Sequence, residues 1–292
     1  MSYNSRFGAL AVAVAFATAA CSMGAFASVT TVPKSALVAS GQYYTDTIGG
    51  GIGSPLLMTG GGNASNVGGS RSDDGFSGPI DLGFTLSFFG QDYSQFWANN
   101  NGNISFTDGI SAYTPSGPQG APEPIISPFF ADVDTRDSAS GVMYLRTDIA
   151  NEIIVTWDGV GYYNSHGNLL DSFQLVLRGP DYAIPPGQGA IGFFYKGMQW
   201  ETGDQSGGSN GFGGTPAAVG FGNGSGDGEV LAGSIQDGIS GVVANHYIWF
   251  DQNLTPVTPP AGVPEPGALG MFGLGALLLG GFVALRRRPL KA

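Results

Sequence analysis

From Pro79 onward, short apolar and aromatic runs bounded by Gly, Asp, Asn or Pro recur roughly every ten to fifteen residues. They predict strands at Phe84 to Phe89, Gln95 to Ala98, Asn103 to Phe106, Ile125 to Ala131, Gly141 to Arg146, Glu152 to Trp157, Ser172 to Leu177, Ala190 to Tyr195, Ala217 to Phe221 and His246 to Phe250. Alternation is clearest at residues 173–177, where Phe173, Leu175 and Leu177 share one face and Gln174 and Val176 the other. No sustained helical stripe competes. The expected fold class is all-β: a single antiparallel β-sandwich-like domain at residues 79–252 with long Gly-rich loops. Residues 28–78 are rich in Gly, Ser, Thr and Asn and show no sustained apolar period, so they are expected to form an irregular approach to that domain.

The two ends carry different patterns. Arg6 precedes an apolar run from Phe7 to Ala20, and Ala25 and Ala27 then form a small-x-small site before Ser28. This order of charge, apolar core and small residues predicts a secretory signal peptide at residues 1–27, cut by signal peptidase. A buried N-terminal helix would not need that order. Cys21 raises a lipoprotein alternative, but Thr18 to Ala20 lack the large aliphatic residue of a lipobox. At the other end, residues 267–285 are uncharged and, as a helix at about 1.5 Å per residue, span about 28 Å, enough to cross a bilayer core. Arg286, Arg287 and Arg288 follow directly, and positive flanks stay cytoplasmic, which leaves the body of the chain on the outer side. A Pro-rich linker at 253–262 and then Val263, Pro264, Glu265 and Pro266 precede the span.

This combination of Pro-Glu-Pro motif, apolar helix and terminal Arg cluster resembles the PEP-CTERM sorting signal of exopolysaccharide-producing Gram-negative bacteria. The resemblance implies that exosortase cleaves at the motif and that the helix anchors the chain in the inner membrane only transiently. The body also resembles a family. Its run Phe96-Trp97-Ala98-Asn99-Asn100-Asn101-Gly102-Asn103-Ile104-Ser105-Phe106 is followed by Pro128-Phe129-Phe130-Ala131-Asp132-Val133-Asp134-Thr135-Arg136, then by Ile154 to Tyr163, Phe173 to Leu177 and Gln199 to Asp204. That succession is similar to the NIDO domain, the nidogen-like extracellular module. The resemblance implies a β-rich module of adhesion and matrix proteins and brings no family-wide catalytic residues.

Composition narrows the function classes. Fifty of 292 residues are Gly, yet hydrophobic residues reach 42 %, too apolar for a disordered linker. With 11 Lys and Arg against 22 Asp and Glu, the formal charge is −11, so no basic face exists for nucleic acid. One Cys excludes a disulfide framework, and it leaves with the signal peptide if cleavage follows Ala27.

Candidate chemistry is sparse. Asp132, Asp134 and Asp137 alternate along one loop, where carboxylates can converge on Ca²⁺, although the spacing does not match an EF-hand. The competing reading ends a strand at Asp132 and Asp134, with Arg136 paired to one of them. The acidic Gly-rich stretch at 222–229 is expected to be a solvated turn. His166 and Ser165 are adjacent in a polar loop, which does not define a nucleophile, and no phosphate-binding loop of the Gly-x-x-x-x-Gly-Lys-Ser/Thr kind occurs. Trp97, Trp157, Trp200, Tyr162 and Tyr163 can stack on sugar rings, but strand tryptophans are more often core, the expectation for Trp97 and Trp157.

Together these readings describe an exported, non-enzymatic protein of the extracellular matrix or cell surface, with no catalytic residue and no cofactor beyond candidate calcium. Its expected partners are exosortase and signal peptidase during export, and afterwards extracellular polysaccharide or other matrix proteins. The alternatives are a secreted hydrolase acting on matrix polysaccharide, which needs converging carboxylates in an aromatic cleft, and a permanently anchored surface protein with an uncleaved tail.

Overall fold

A computed structural model of the protein describes residues 27–62 and 69–259. The expected signal peptide up to Phe26, the sorting motif, the apolar span and the Arg cluster therefore lie outside the described residues. Among the described residues, no helix is long and apolar enough to cross a membrane.

The alternating runs form two β-sheets. In spatial order, the first holds β1 (Val29–Val32), β15 (Gly228–Leu231), β14 (Ala218–Asn223), β9 (Pro124–Phe130), β8 (Asn103–Ser105), β7 (Gln91–Asn99), β5 (Gly75–Phe76) and β4 (Gly60–Gly61), with β6 (Ile80–Phe88) also paired to β7. The second holds β2 (Val38–Ala39), β16 (His246–Phe250), β13 (Ile191–Tyr195), β12 (His166–Arg178), β11 (Glu152–Tyr162), β10 (Val142–Arg146) and β3 (Ser54–Pro55). Pairing is antiparallel except between β1 and β15, which run parallel. Each predicted strand is present, and β6, β7, β11 and β12 extend beyond their predicted bounds.

The inner faces meet in one apolar core. Phe173, Leu175 and Leu177 of β12 lie in it with Val155 and Trp157 of β11 and Phe193 of β13. Across the interface, Phe129 of β9 sits 5.6 Å from Phe173, and Phe221 of β14 sits 5.3 Å from Phe193 and 4.7 Å from Phe250 (ring centroids). Full burial of each such ring contributes about 1.5–3 kcal/mol. Trp157 and Trp200 are wholly buried, and their indole N–H groups donate to the carbonyls of Asn100 and Val160. Trp97 departs from expectation. Its neighbours Phe96 and Ala98 take the inward positions of β7, so the period of two turns Trp97 to the half-buried outer side.

The outer faces are also covered, which the alternation alone did not predict. Ile154, Val176, Phe194 and Trp249 on the outside of the second sheet form a separate cluster with Tyr44 of the short helix α1 (Tyr44–Ile48). Gln174, between two inward residues, exchanges hydrogen bonds with Thr45, its Oε1 accepting from the Thr45 amide at 3.3 Å and its Nε2 donating to Oγ1 at 3.1 Å. The segment expected to be an irregular approach is therefore a strap. It supplies β1 at the edge of one sheet and β2 at the edge of the other, with α1 following over the second sheet. On the first sheet, Ile110 and Ala121 cover Ile125, Phe130 and Ala218.

Candidate functional site

Five chain segments meet beyond the end of β9. Residues 99–103 form the turn between β7 and β8, and their asparagines are buried. A polar residue in that position must find partners within the fold. Asn99 Nδ2 donates to Asn103 Oδ1 at 2.7 Å, and Asn99 Oδ1 accepts the amide of Ile110. Asn100 Nδ2 donates to the Val133 carbonyl, and Asn101 Oδ1 accepts the Val133 amide at 2.9 Å, so two side chains clamp one residue of the segment after β9. Gly102 closes the turn at φ +76°, where a Cβ would lie 1.8 Å from the Phe129 carbonyl oxygen. Only glycine satisfies both demands.

The same turn reaches the segment before β5. Asn101 Nδ2 donates to Asp74 Oδ1 at 2.7 Å, and the Asn100 amide donates to the Gly75 carbonyl. Thr135 Oγ1 accepts the Ser72 amide at 2.7 Å and donates to the Ser72 carbonyl, and Asp73 bridges to Asp134. On the far side, the Tyr163 amide donates to the Asp132 carbonyl, and the Asp204 amide to the Tyr163 carbonyl. Gly203 packs so closely that a Cβ there would stand 2.5 Å from Asp132 Oδ2.

These contacts gather Asp73, Asp74 and Asp132, with one carboxylate oxygen of each within 4.8 Å of the others. Asp132 is 1 % exposed and Asp73 is 5 % exposed. Burial pushes the Asp132 carboxyl up to about 8, with the charges of Asp74, Asp73, Asp134 and Asp204 adding to the effect. Burial likewise raises Asp73 to about 7, reinforced by Asp74 and Asp134 and opposed by Arg136. Asp74 is raised by burial, against the hydrogen bond from Asn101.

The structure does not bring Asp132, Asp134 and Asp137 to one point. Asp134 is saturated by the amides of Arg136 and Ser165 and by the Arg136 guanidinium, which also reaches Asp73 Oδ2 at 3.1 Å. Asp137 turns back onto its own loop, where its Oδ1 accepts the Ala139 amide at 2.6 Å. A cation already fills that loop, because Arg71 Nη1 donates to the carbonyls of Thr135, Asp137 and Ser140 at 2.6–2.8 Å. The pairing of Arg136 with a neighbouring aspartate, the competing reading, is present. Asp73 and Asp74 escaped the sequence reading because they stand in the Gly/Ser-rich stretch and reach Asp132 through the asparagine turn rather than through local spacing.

His166 Nε2 lies 2.9 Å from Asp204 Oδ2, and its ring stacks on buried Tyr162 at 4.6 Å. Tyr163 is half-buried beneath the Arg136 guanidinium, 5.7 Å from its ring centroid. The stretch at 222–229 carries the turn between β14 and β15, with Ser225 exposed, and Asp227 accepts the amide of Ser28 there at 2.6 Å. A cavity of 390 Å³ lies apart from the acidic cluster, lined by Thr85, Ser87, Arg178, Pro180, Ile191 and Asn253. No carboxylate lines it.

Comparison with known proteins places this architecture. The sequence model described as "NIDO related" matches residues 54–247, more than half of the chain, and the chain belongs to that family. A second model, the PEP-CTERM protein-sorting motif, matches residues 262–288. Alpha-tectorin of Mus musculus and of Homo sapiens is 31 % identical over 183 residues, and that of Gallus gallus 30 % identical. The aligned region covers 53 % of this chain and 8 % of each of those proteins. No solved structure matches significantly. Domain and tail together make this an exported protein, held transiently at the membrane and destined for the cell surface or the extracellular space.

Proposed function

We propose that the protein is a non-enzymatic binding component of an extracellular, exopolysaccharide-rich matrix of the biofilm type or of the cell surface, where it acts in adhesion. The observation that carries this reading is the joining of one NIDO-related domain to a PEP-CTERM tail. The geometry supports it. The acidic cluster is closed to a sugar chain by the burial of Asp132 and Asp73, and the cavity offers no acid–base pair. Trp157, Trp200 and Tyr162 are spent on the core, which leaves half-buried Tyr163 and Trp97 as surface aromatics for contact with a saccharide or a protein.

Processing completes the proposal. Signal peptidase cuts after Ala27, directly before Ser28, whose nitrogen contacts Asp227, and one residue ahead of β1. Exosortase then cuts near Pro264 and detaches the apolar span. The intact mass of the native protein, measured separately in membrane and matrix fractions of its host, tests this. A matrix form running from near Ser28 to near Pro264 that sediments with host polysaccharide is expected. A membrane form retaining residues 267–292 as the sole species refutes release, and a processed form that depolymerises the polysaccharide refutes the non-enzymatic reading.

A further inference from the structure

We infer that Asp73, Asp74 and Asp132 form a binding site for a hard divalent cation of the calcium class, set where the segments before β5 and after β9 meet. The three carboxylates converge within 4.8 Å, a spread that oxygens around one ion at 2.3–2.6 Å span. Convergence alone would not define a site. The independent observation is Asp132, whose side chain is closed off from solvent and whose Oδ2 has no hydrogen-bond partner among the described residues. A buried carboxylate oxygen without a donor is costly, and a bound cation supplies what the protein does not.

The neighbouring guanidinium does not fill this role. Arg136 is committed to Asp134 and to one oxygen of Asp73, and no contact ties it to Asp132. Asn101 holds Asp74 by its Oδ1, and Gly203 leaves the space that the Asp132 carboxylate occupies. Thr202, one residue before that glycine, carries a second buried oxygen without a partner, Oγ1. The donor set is all oxygen, which selects a hard ion over zinc or copper, and the nearby imidazole of His166 is engaged by Asp204. Three carboxylates leave coordination positions for water or backbone carbonyls, which calcium accepts readily at six to eight ligands.

Thermal unfolding of the intact chain tests the site, in EGTA and in 10 mM CaCl₂. A site in the affinity range of extracellular modules, about 10⁻⁴–10⁻³ M, raises Tm by about 3–11 °C. Asp132→Asn is expected to abolish the shift, and Asp74→Asn serves if that variant does not fold. Asp137→Asn, outside the cluster, is expected to keep it. An identical wild-type Tm in chelator and calcium overturns the inference, as does a full calcium response in Asp132→Asn or Asp74→Asn. A response lost in Asp137→Asn but kept in Asp132→Asn also overturns it, and an equal response to magnesium overturns the assignment to a large cation.

Discussion

Arg178 is the residue whose removal should be felt most widely outside the acidic cluster. It is 1 % exposed, and its guanidinium donates to Glu152 Oε2 at 2.8 Å, to the Gly189 carbonyl at 3.0 Å, to Gln188 Oε1 at 2.7 Å and to the Tyr44 hydroxyl at 2.8 Å. It also lies over the rings of Trp249 and Tyr182 at 4.3 and 4.4 Å. Arg178→Met keeps the volume and deletes every donor. Glu152, fully buried and with no partner for its other oxygen, is then left as an uncompensated buried charge. Breaking a buried pair in this way costs about 3–5 kcal/mol, and about 2–4 °C of Tm per kcal/mol for a domain of this size gives a fall of about 6–20 °C. The double variant Arg178→Met with Glu152→Leu removes both charges and should recover most of the loss, because a well-packed apolar pair often matches a buried ion pair. Urea unfolding of the two single variants and the double variant closes the cycle, with an expected coupling of at least about 2 kcal/mol. Loss of the Tyr44 contact should also expose residues 40–53 to proteases before global unfolding. A single-variant cost below about 1 kcal/mol, or a double variant as unstable as the sum of the singles, would refute the argument.

Gly102→Ala should cost about 3–5 kcal/mol, because positive φ and the close Phe129 carbonyl act together, whereas Gly83→Ala, at the same φ with nothing within 4 Å, should cost about 1–2 kcal/mol; urea midpoints of the pair separate contact from conformation. Asn101→Ala removes the donor to Asp74 and the acceptor for the Val133 amide and should lower stability by about 2–4 kcal/mol, read by the same unfolding assay. Asp171 is held well above the usual carboxylate range by burial, despite accepting the amides of Gln199 and Trp200. A raised folded-state value means that its contribution is full below the unfolded pKa and declines as pH rises toward the folded one. Asp171→Asn should therefore lose less stability than wild type between pH 4 and neutrality, and parallel pH profiles would contradict this.

The strands that pack both sheets were legible because a half-buried strand repeats every two residues, and the sequence from Phe173 to Leu177 states that period openly. Even Trp97 obeys it. Only the expectation that a tryptophan must point inward failed. The strap was not legible, since Val29, Val32 and Val38 sit in two short edge strands whose partners stand at 228–231 and 246–247, far along the chain. β15 was hidden by its Gly and Glu, residues that signal turns locally but are tolerated next to an edge. At the acidic site, Asp132 was visible while Asp73 and Asp74 were not, because what joins them is a buried asparagine turn whose side chains act at a distance in sequence.

The strap has a consequence for the order of events during export. The first residues of the body to cross the membrane, β1 and β2, form their ladders only with β15 and β16, which cross almost last. Non-local pairing of this kind delays native structure until distant segments are present together. A translocating chain therefore stays unlocked on the far side for most of its passage. The domain can close only when residues 228–250 have emerged, so completion of the fold falls just before the emergence of residues 262–288, which match the sorting motif.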